Sequence, residues 1–304
     1  TNQREAIVLI SFDRSMQKKK LKNIIRSRHF SSCFFILALL STILFFVSTL
    51  LNIWQNSLQL KEQLEAKADA AYSNIENTFS VMKVGLIYTS TTPELIELVE
   101  QEVKKQLGDD VELYSLQDPS ILADVRAAGY VTTAPAARLI GMYMKAAEEG
   151  VDAMLNLCSS VGEVADSVQD VAKYIGVPIV RVDEEMCREA VRKGQRIGVM
   201  ATLPTTLEPT KGTILRMARE CNRHVELVDC LVDGAFGLDQ DQFKARMTEM
   251  AGTIADKVDV IVFAQGSMAY CEQYIADKFG KVVLSSPRFG AAELKKALEK
   301  KGTI

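Results

Sequence analysis

A cysteine followed by two serines closes one of the apolar runs of this sequence. Cys158, Ser159 and Ser160 come directly after VDAMLNL, and helix-forming residues follow them. The pKa of a thiol falls near the positive end of a helix, and the thiolate is the form that acts as base or nucleophile. We therefore expect Cys158 to be a reactive thiolate that transfers a proton or forms a covalent bond. The alternative is a small buried residue at a strand end.

Three further polar clusters follow apolar runs in the same way. They are Thr89-Ser90-Thr91-Thr92 after VGLIY, Thr202 with Thr205 and Thr206 after RIGVMA, and Gln265-Gly266-Ser267 after VDVIVFA. All four clusters are uncharged and rich in hydroxyls, which suits a carboxylate bound by hydroxyl and backbone N–H groups at helix starts. Ordinary helix capping is compatible with this, since Ser160 and Glu163 have capping-box spacing.

Strand-like and helix-like segments alternate from Lys83 to the end of the chain, a pattern typical of parallel βαβ units. Ligands of such sheets bind beyond the carboxyl ends of the strands, where the four polar clusters lie. We predict an α/β fold of two similar parallel-sheet βαβ lobes with a cleft between them. The first lobe is expected at residues 82–194 plus 284–304 and the second at 195–283.

The two predicted lobes repeat one sequence pattern. Aligning Gly85 with Gly198 matches VGLIYT with IGVMAT and brings VELYSL close to VELVDC. Aligning Asp152 with Asp259 matches VDAMLNLCSS with VDVIVFAQGS, so that Cys158 corresponds to Gln265. Any two βαβ units share some of this pattern, but two matches in the same order favour an internal duplication.

Residues from about 82 to 304 resemble the cofactor-independent aspartate/glutamate/hydantoin racemase superfamily. DAMLNLCSSVG resembles its first cysteine motif, RIGVMATLPTT its G-x3-T-x2-T motif and DVIVFAQGSM its second cysteine motif, while VVLSSPRFGAAELKKAL is similar to its return to the first lobe. The resemblance implies a catalytic Cys158, no cofactor and no metal. It also implies a substrate site formed by Thr89, Ser90, Ser159, Ser160, Thr202, Thr205, Gln265, Gly266 and Ser267.

One expected catalytic position departs from the family pattern. Family members use two cysteines to remove and return a proton on opposite faces of a carbon, whereas this chain has Gln265 at the second position. An amide does not exchange a proton at neutral pH. We therefore expect an isomerase that acts through one cysteine on a small carboxylate or amino acid. The alternatives are a one-cysteine decarboxylase or lyase, as the family includes maleate isomerases and arylmalonate decarboxylases, or a non-catalytic carboxylate-binding sensor domain.

Other ionisable residues are weaker candidates. Cys271 is the other thiol considered as a replacement acid, although we expect it to be packed, and Asp233 and Asp239 are considered as auxiliary acids or bases. We expect structural roles for the remaining cysteines of the globular part and a surface position for His224. These cysteines are Cys187, Cys221 and Cys230.

The N-terminal quarter differs in composition from the rest. We predict a basic segment at 1–29, a transmembrane helix at 30–55 and a polar helical linker at 56–81, with the N-terminus cytoplasmic by the positive-inside rule. In composition residues 14–80 resemble the membrane anchor of bacterial sensor kinases. Because Met82 directly precedes the first strand, we also expect that the enzyme itself begins there and is cytoplasmic, with 1–81 a fused segment.

The overall charge and the cysteine spacing restrict the expected partners. A net charge of −3 and a pI near 5.7 argue against nucleic-acid binding. The six cysteines form no C-x-x-C pair and there are two histidines, so we expect neither a metal site nor a disulfide framework. The expected partners are a small carboxylate or amino acid, a membrane through residues 30–55, and optionally a second copy in a homo-oligomer.

Overall fold

A computed structural model describes residues 2–79 and 81–304. The chain divides into two compact units, Thr1–Phe79 and Ser80–Ile304. The basic residues before the predicted span are the basis for the predicted cytoplasmic N-terminus. Three of them, Arg14, Arg26 and Arg28, have side chains outside the described part of the chain.

The first unit is one helix, α1 (Asn2–Phe79), which contains the predicted basic segment and span and nearly all of the predicted linker. Within the described residues, its segment Phe35–Ala70 is the helix that is long and apolar enough to cross a membrane. The mean hydropathy of this segment reaches 2.3, and its large side chains, such as Phe45 and Phe46, are exposed. By length and composition, signal sequences have the same character.

The second unit contains two four-stranded sheets in which every paired strand runs parallel. The first has the strand order β2-β1-β3-β4 and the second β6-β5-β7-β8. The predicted α/β fold with two parallel sheets is therefore confirmed. The strands are β1 (Lys83–Tyr88), β2 (Glu112–Gln117), β3 (Ala153–Asn156), β4 (Ile179–Arg181), β5 (Arg196–Ala201), β6 (Glu226–Leu231), β7 (Val260–Phe263) and β8 (Val282–Ser285).

Ten further helices connect and cover these strands. They are α2 (Pro93–Leu107), α3 (Pro119–Ala128), α4 (Thr133–Glu148), α5 (Gly162–Ser167), α6 (Gln169–Ile175), α7 (Glu184–Lys193), α8 (Pro204–Glu220), α9 (Gln240–Ile254), α10 (Glu272–Phe279) and α11 (Ser286–Lys301). Short 3-10 turns occupy Ser159–Val161, Ala255–Lys257 and Gly266–Cys271. Two of these turns contain part of the predicted site clusters after β3 and β7, namely Ser159-Ser160 and Gly266-Ser267.

The two sheets repeat the same hydrogen bonds at matching residues. The backbone N–H of Lys83 donates to the Asp152 carboxylate at 3.0 Å, and that of Arg196 donates to Asp259 at 2.8 Å. Val84 pairs with Ala153 in the first sheet as Ile197 pairs with Val260 in the second. This register places Cys158 and Gln265 at corresponding positions after the central strands. In each sheet, the aspartate therefore joins the starts of the two central strands: Asp152 joins β1 and β3, and Asp259 joins β5 and β7.

Apolar packing on both faces holds each sheet, and burial of each large aliphatic side chain contributes roughly 1.5–3 kcal/mol. Helix α11 packs Ala291, Leu294 and Leu298 on the first sheet. Helix α7 lies before residue 194, yet it packs Met186 and Val191 in the core of the second sheet. The lobe limits at 194 and 284 remain a prediction.

The chain from 160 to 175 differs from the single helix that its pattern predicts. A 3-10 turn and the short helices α5 and α6 take its place, with a break at Val168. Val161, Val164 and Val168 are all buried in an apolar core of the first sheet, together with Ile87 and Met154. Tertiary packing therefore decides the local conformation of this segment.

Candidate functional site

A cleft of about 820 Å³ lies at the carboxyl ends of the strands of both sheets. Eight of the ten predicted site residues line it: Ser90, Cys158, Ser159, Ser160, Thr202, Gln265, Gly266 and Ser267. Thr89 is fully buried behind this lining, and Thr205 lines a neighbouring cavity of about 910 Å³. The fold thus brings all four polar clusters to one region, as parallel strands require.

Cys158 is half-buried, and hydrogen bonds to its backbone carbonyl hold it in place. The buried Asn156 donates through Nδ2 to the Cys158 carbonyl at 3.1 Å, and Tyr143 donates its hydroxyl to Asn156 Oδ1 at 3.0 Å. The carbonyl also accepts the N–H of Val161 at 3.4 Å. These bonds fix the strand end and the turn from which the thiol faces the cleft.

The expected lowering of the Cys158 pKa is wrong for this environment. Burial raises the pKa of Cys158, and this effect outweighs the lowering by the Thr89 hydroxyl, the backbone N–H groups of Ser160 and Val161 and the Ser160 hydroxyl. The Thr89 hydroxyl is itself buried without a hydrogen bond of regular geometry to any described residue. The raised pKa favours the protonated thiol at neutral pH, and a thiolate of raised pKa is a stronger base than that of an ordinary cysteine.

We expect the alkylation of Cys158 by iodoacetamide to need alkaline pH. Only the thiolate reacts with iodoacetamide. A raised pKa therefore moves the pH at which the alkylation rate is half-maximal above about 8.5, the ordinary pKa of a cysteine. Peptide mass spectrometry of the full chain at stepped pH values measures this rate. A rate that levels off below pH 8 would contradict the raised pKa.

Gln265 is held rigidly by Thr202. Its Oε1 accepts the backbone N–H of Thr202 at 2.8 Å, and its Nε2 donates to Thr202 Oγ1 at 2.6 Å. Thr202 and Gln265 in the second sheet correspond to Thr89 and Cys158 in the first. The duplicated frame therefore presents a threonine beside a thiol at one strand end and a threonine beside an amide at the other.

Ser160 joins the two halves of the site instead of capping a helix. Its hydroxyl forms a 2.8 Å hydrogen bond with the Thr206 hydroxyl of α8. The N-cap position of α5 is Val161, and no side chain caps that helix, so the predicted capping box of Ser160 and Glu163 is wrong. The 3-10 turn places the N-cap position at Val161 and the start of α5 at Gly162, so the Ser160 hydroxyl is free to bond Thr206.

A buried ion-pair network behind the site was not predicted. Arg181 donates from Nε and Nη2 to both carboxylate oxygens of Asp183 at 3.0 and 2.9 Å, and from Nη1 to Asp166 at 2.6 Å. Its Nη2 also donates to Thr213 of α8 at 2.9 Å. Burial alone would raise the pKa of Asp183, but the Arg181 guanidinium and the Ser159 hydroxyl hold it below the usual range. The network thus supports Ser159, the neighbour of Cys158.

Replacing Arg181 with methionine is expected to lower the free energy of unfolding by roughly 3–5 kcal/mol, because Asp183 would be left buried without its cation. Urea unfolding followed by the near-ultraviolet circular dichroism of the tyrosines measures this. The loss should shrink as the pH falls below about 3.9, where an unfolded aspartate takes up a proton. Lys173→Met, which removes an exposed pair with Asp170, is the control and should cost under about 1 kcal/mol.

The weaker candidates lie as follows. Cys271 is buried in the core of the second sheet, outside the cleft lining, and burial raises its pKa to about 11. Asp239 lines the cleft but caps α9 by accepting the N–H of Gln242, and Asp233 lines the neighbouring cavity. His224 is exposed, as predicted. Among the described residues, no group of three or more His, Cys, Asp or Glu is placed to hold a metal.

The cleft wall is apolar and its charged rim is acidic. Leu95, Leu98 and Phe243 form part of the wall. Three acids contribute to the lining, and they are the exposed side chains Glu94, Glu97 and Asp239. None of the described lining residues is Lys, Arg or His, so an anionic ligand would be bound by uncharged donors.

Two parallel four-stranded sheets of matching strand order, with a cysteine and polar turns at one cleft, form an α/β protein of the kind that the motif resemblance predicts. The sequence profile described as Asp/Glu/Hydantoin racemase matches residues 84–294, and the chain belongs to this family. The resemblance found in the motifs is thus confirmed. A search of curated proteins found no match.

Solved structures of this type share the fold at low sequence identity. Glutamate racemase isoform RacE1 from Bacillus anthracis is 15% identical with a TM-score of 0.56, covering 73% of this chain and 83% of its own. Allantoin racemase from Klebsiella pneumoniae is 15% identical with a TM-score of 0.53, covering 73% and 89%. A putative Asp/Glu racemase from Yersinia pestis is 19% identical with a TM-score of 0.52, covering 71% and 99%.

Proposed function

We propose that the chain is a cofactor-independent isomerase of this family that transfers a proton at the carbon next to a carboxylate, with Cys158 as its single proton carrier. One observation supports the proposal most directly. Cys158 and Gln265 occupy corresponding positions after the central strands of the two sheets, and both side chains line the same cleft. A thiol exchanges protons readily, whereas a primary amide does not.

The uncharged groups of the cleft would orient the substrate. The Cys158 thiol first loses its proton to solvent. The thiolate then takes the proton from the α-carbon, and the electron pair of the broken C–H bond moves into the carboxylate to give an enediolate. The same thiol then returns a proton to a carbon of the substrate. Hydroxyl donors such as Ser267 and Ser90, both half-buried in the lining, stabilise the developing negative charge. With one carrier, the proton returns on the face from which it left. Return to the α-carbon therefore gives exchange with retention, and net isomerisation occurs when the proton returns to another carbon of an unsaturated carboxylate, which shifts its double bond.

Deuterium exchange tests this function. The full chain is incubated in deuterated water with a panel of amino acids and carboxylic acids, and α-deuteration is followed by NMR. We expect exchange for at least one member of the panel, with retention of configuration. Absence of exchange across amino, hydroxy and dicarboxylic acids, with the protein folded, would refute the proposal.

The raised pKa of Cys158 favours a second candidate, decarboxylation. A 2-substituted malonate would lose carbon dioxide, the electron pair of the broken bond would remain on the α-carbon, and the resting thiol would donate its proton there. Water then reprotonates the thiolate. Release of carbon dioxide from such a malonate, without α-exchange of amino acids, would select this reaction over isomerisation.

The apolar segment of α1 supports a membrane-anchored form of the enzyme. Its length exceeds the roughly 20 residues that a spanning helix needs. Retention of the full chain in membranes washed with alkaline carbonate tests the anchor. Recovery in the wash would favour the soluble form expected for an enzyme that begins at Met82.

A further inference from the structure

The C-terminal helix α11 (Ser286–Lys301) begins at the cleft floor with an unpartnered hydroxyl. Ser286 lines the cleft, has an exposed fraction of 0% and forms no hydrogen bond through Oγ with the described residues. A buried hydroxyl without a partner costs roughly 1–3 kcal/mol, so such a group calls for a ligand. Ser286 lies outside the motifs from which the site residues were predicted.

The backbone at the start of α11 supplies further donors. The helix has 16 residues, and no side chain caps its first amides, because the hydroxyl of the N-cap residue Ser285 donates to Glu272 instead. Glu272 is paired with Arg288 and lies outside the cleft lining. Pro287, the second residue of the helix, has no N–H. The positive end of the helix dipole and the N–H groups of Ser286 and Arg288 therefore remain without a side-chain cap and can bind an anion.

Gly266 lies close to this hydroxyl, where even a β-carbon would be crowded. A β-carbon at Gly266 would lie 3.8 Å from Ser286 Oγ and 3.1 Å from Leu95 Cδ1. A side chain there would narrow the approach to Ser286 from the direction of the 3-10 turn Gly266–Cys271. The absence of a side chain at Gly266 thus connects the polar turn after β7 with the start of α11.

We propose that Ser286 Oγ and the first-turn amides of α11 form a carboxylate-binding subsite, which positions the acidic group of the substrate near Cys158. This inference rests on the proposed function for the identity of the ligand. The lack of Lys, Arg and His in the described cleft lining makes such a neutral donor set necessary for anion binding. The exposed acids at the rim would repel a second carboxylate of the ligand at the mouth of the cleft, which favours a ligand with one carboxylate.

Binding of 3,3,3-trifluoropropionate to the full chain, followed by fluorine NMR, tests the subsite independently of turnover. Ser286→Ala is expected to weaken binding about tenfold or more, because a hydrogen bond to a charged group is lost. Ser286→Thr, which keeps the hydroxyl, should restore most of it. The neutral analogue 3,3,3-trifluoropropanamide should bind more weakly than the acid and should be less sensitive to Ser286→Ala.

Ser285→Ala is the matched control, since it removes the adjacent buried hydroxyl that is already bonded to Glu272. It should leave binding of the acid unchanged. Equal binding by wild type and Ser286→Ala, or no binding of the acid by wild type, overturns the subsite. Failure of deuterium exchange by the wild type, with Ser286-dependent binding intact, would refute the proposed reaction and leave the subsite standing.

Discussion

Cys158→Ala is expected to lower α-proton exchange by at least about a hundredfold, because a positioned proton carrier typically contributes a factor of 10² to 10⁴. Cys158→Ser should be nearly as inactive, since an alcohol is a far weaker acid than a thiol. The rate of deuterium incorporation measured by NMR gives both values. Circular dichroism of the variants should match that of the wild type, because Asn156 holds the backbone carbonyl of residue 158 and not its side chain.

Cys221→Ala serves as the matched control. Cys221 is also a free, half-buried cysteine, but it packs at the edge of the second core and lies outside the cleft lining. Its replacement should leave exchange within about twofold of the wild-type rate, since its packing is the one role that the structure gives it. Exchange by Cys158→Ala at more than a tenth of the wild-type rate would exclude Cys158 as the proton carrier.

Gln265→Cys is expected to convert retention into inversion. The new thiol would stand beside Thr202 as Cys158 stands beside Thr89, so both faces of the substrate would meet a proton carrier. We expect racemisation at least about tenfold above that of Gln265→Ala, a modest part of the range for general acid–base catalysis. Chiral chromatography of the product in deuterated water measures inversion and exchange together.

Gln265→Ala separates the new thiol from the loss of the amide. Both substitutions leave the Thr202 N–H without its present acceptor, which costs roughly 1–3 kcal/mol, so both should be destabilised to a similar extent. A folded Gln265→Cys protein that exchanges protons without inversion would show that the second strand end does not face the reacting carbon.

The duplication explains why much of the site was predictable. Strand positions follow from short apolar runs, and the alignment of Asp152 with Asp259 places Gln265 opposite Cys158 before any coordinates are considered. The paired aspartates hydrogen-bond the starts of β1 and β5 in the same way, so the motif reflects a structural requirement of both sheets. Parallel pairing then brings the polar turns to one edge.

Features that depend on long-range contacts were not predictable. Strand β4 has three buried residues, too few to show a periodicity, and the partners of its Arg181 include Thr213 in the other half of the domain. The sign of the Cys158 pKa shift depends on burial, which outweighs the local hydrogen bonds. The family resemblance predicts that the C-terminal segment returns to the first lobe, but the local pattern SSPRFG does not show that Ser286 is buried at the cleft without a hydrogen-bond partner.

The threonine pairs also have a stereochemical meaning. Two equal strand ends would treat the two faces of a planar intermediate alike. In the proposed reaction, a thiol at one end and an amide at the other would deliver the proton to one face. A domain with two similar halves would thus yield a single enantiomer, because the side chains at its two corresponding strand ends differ.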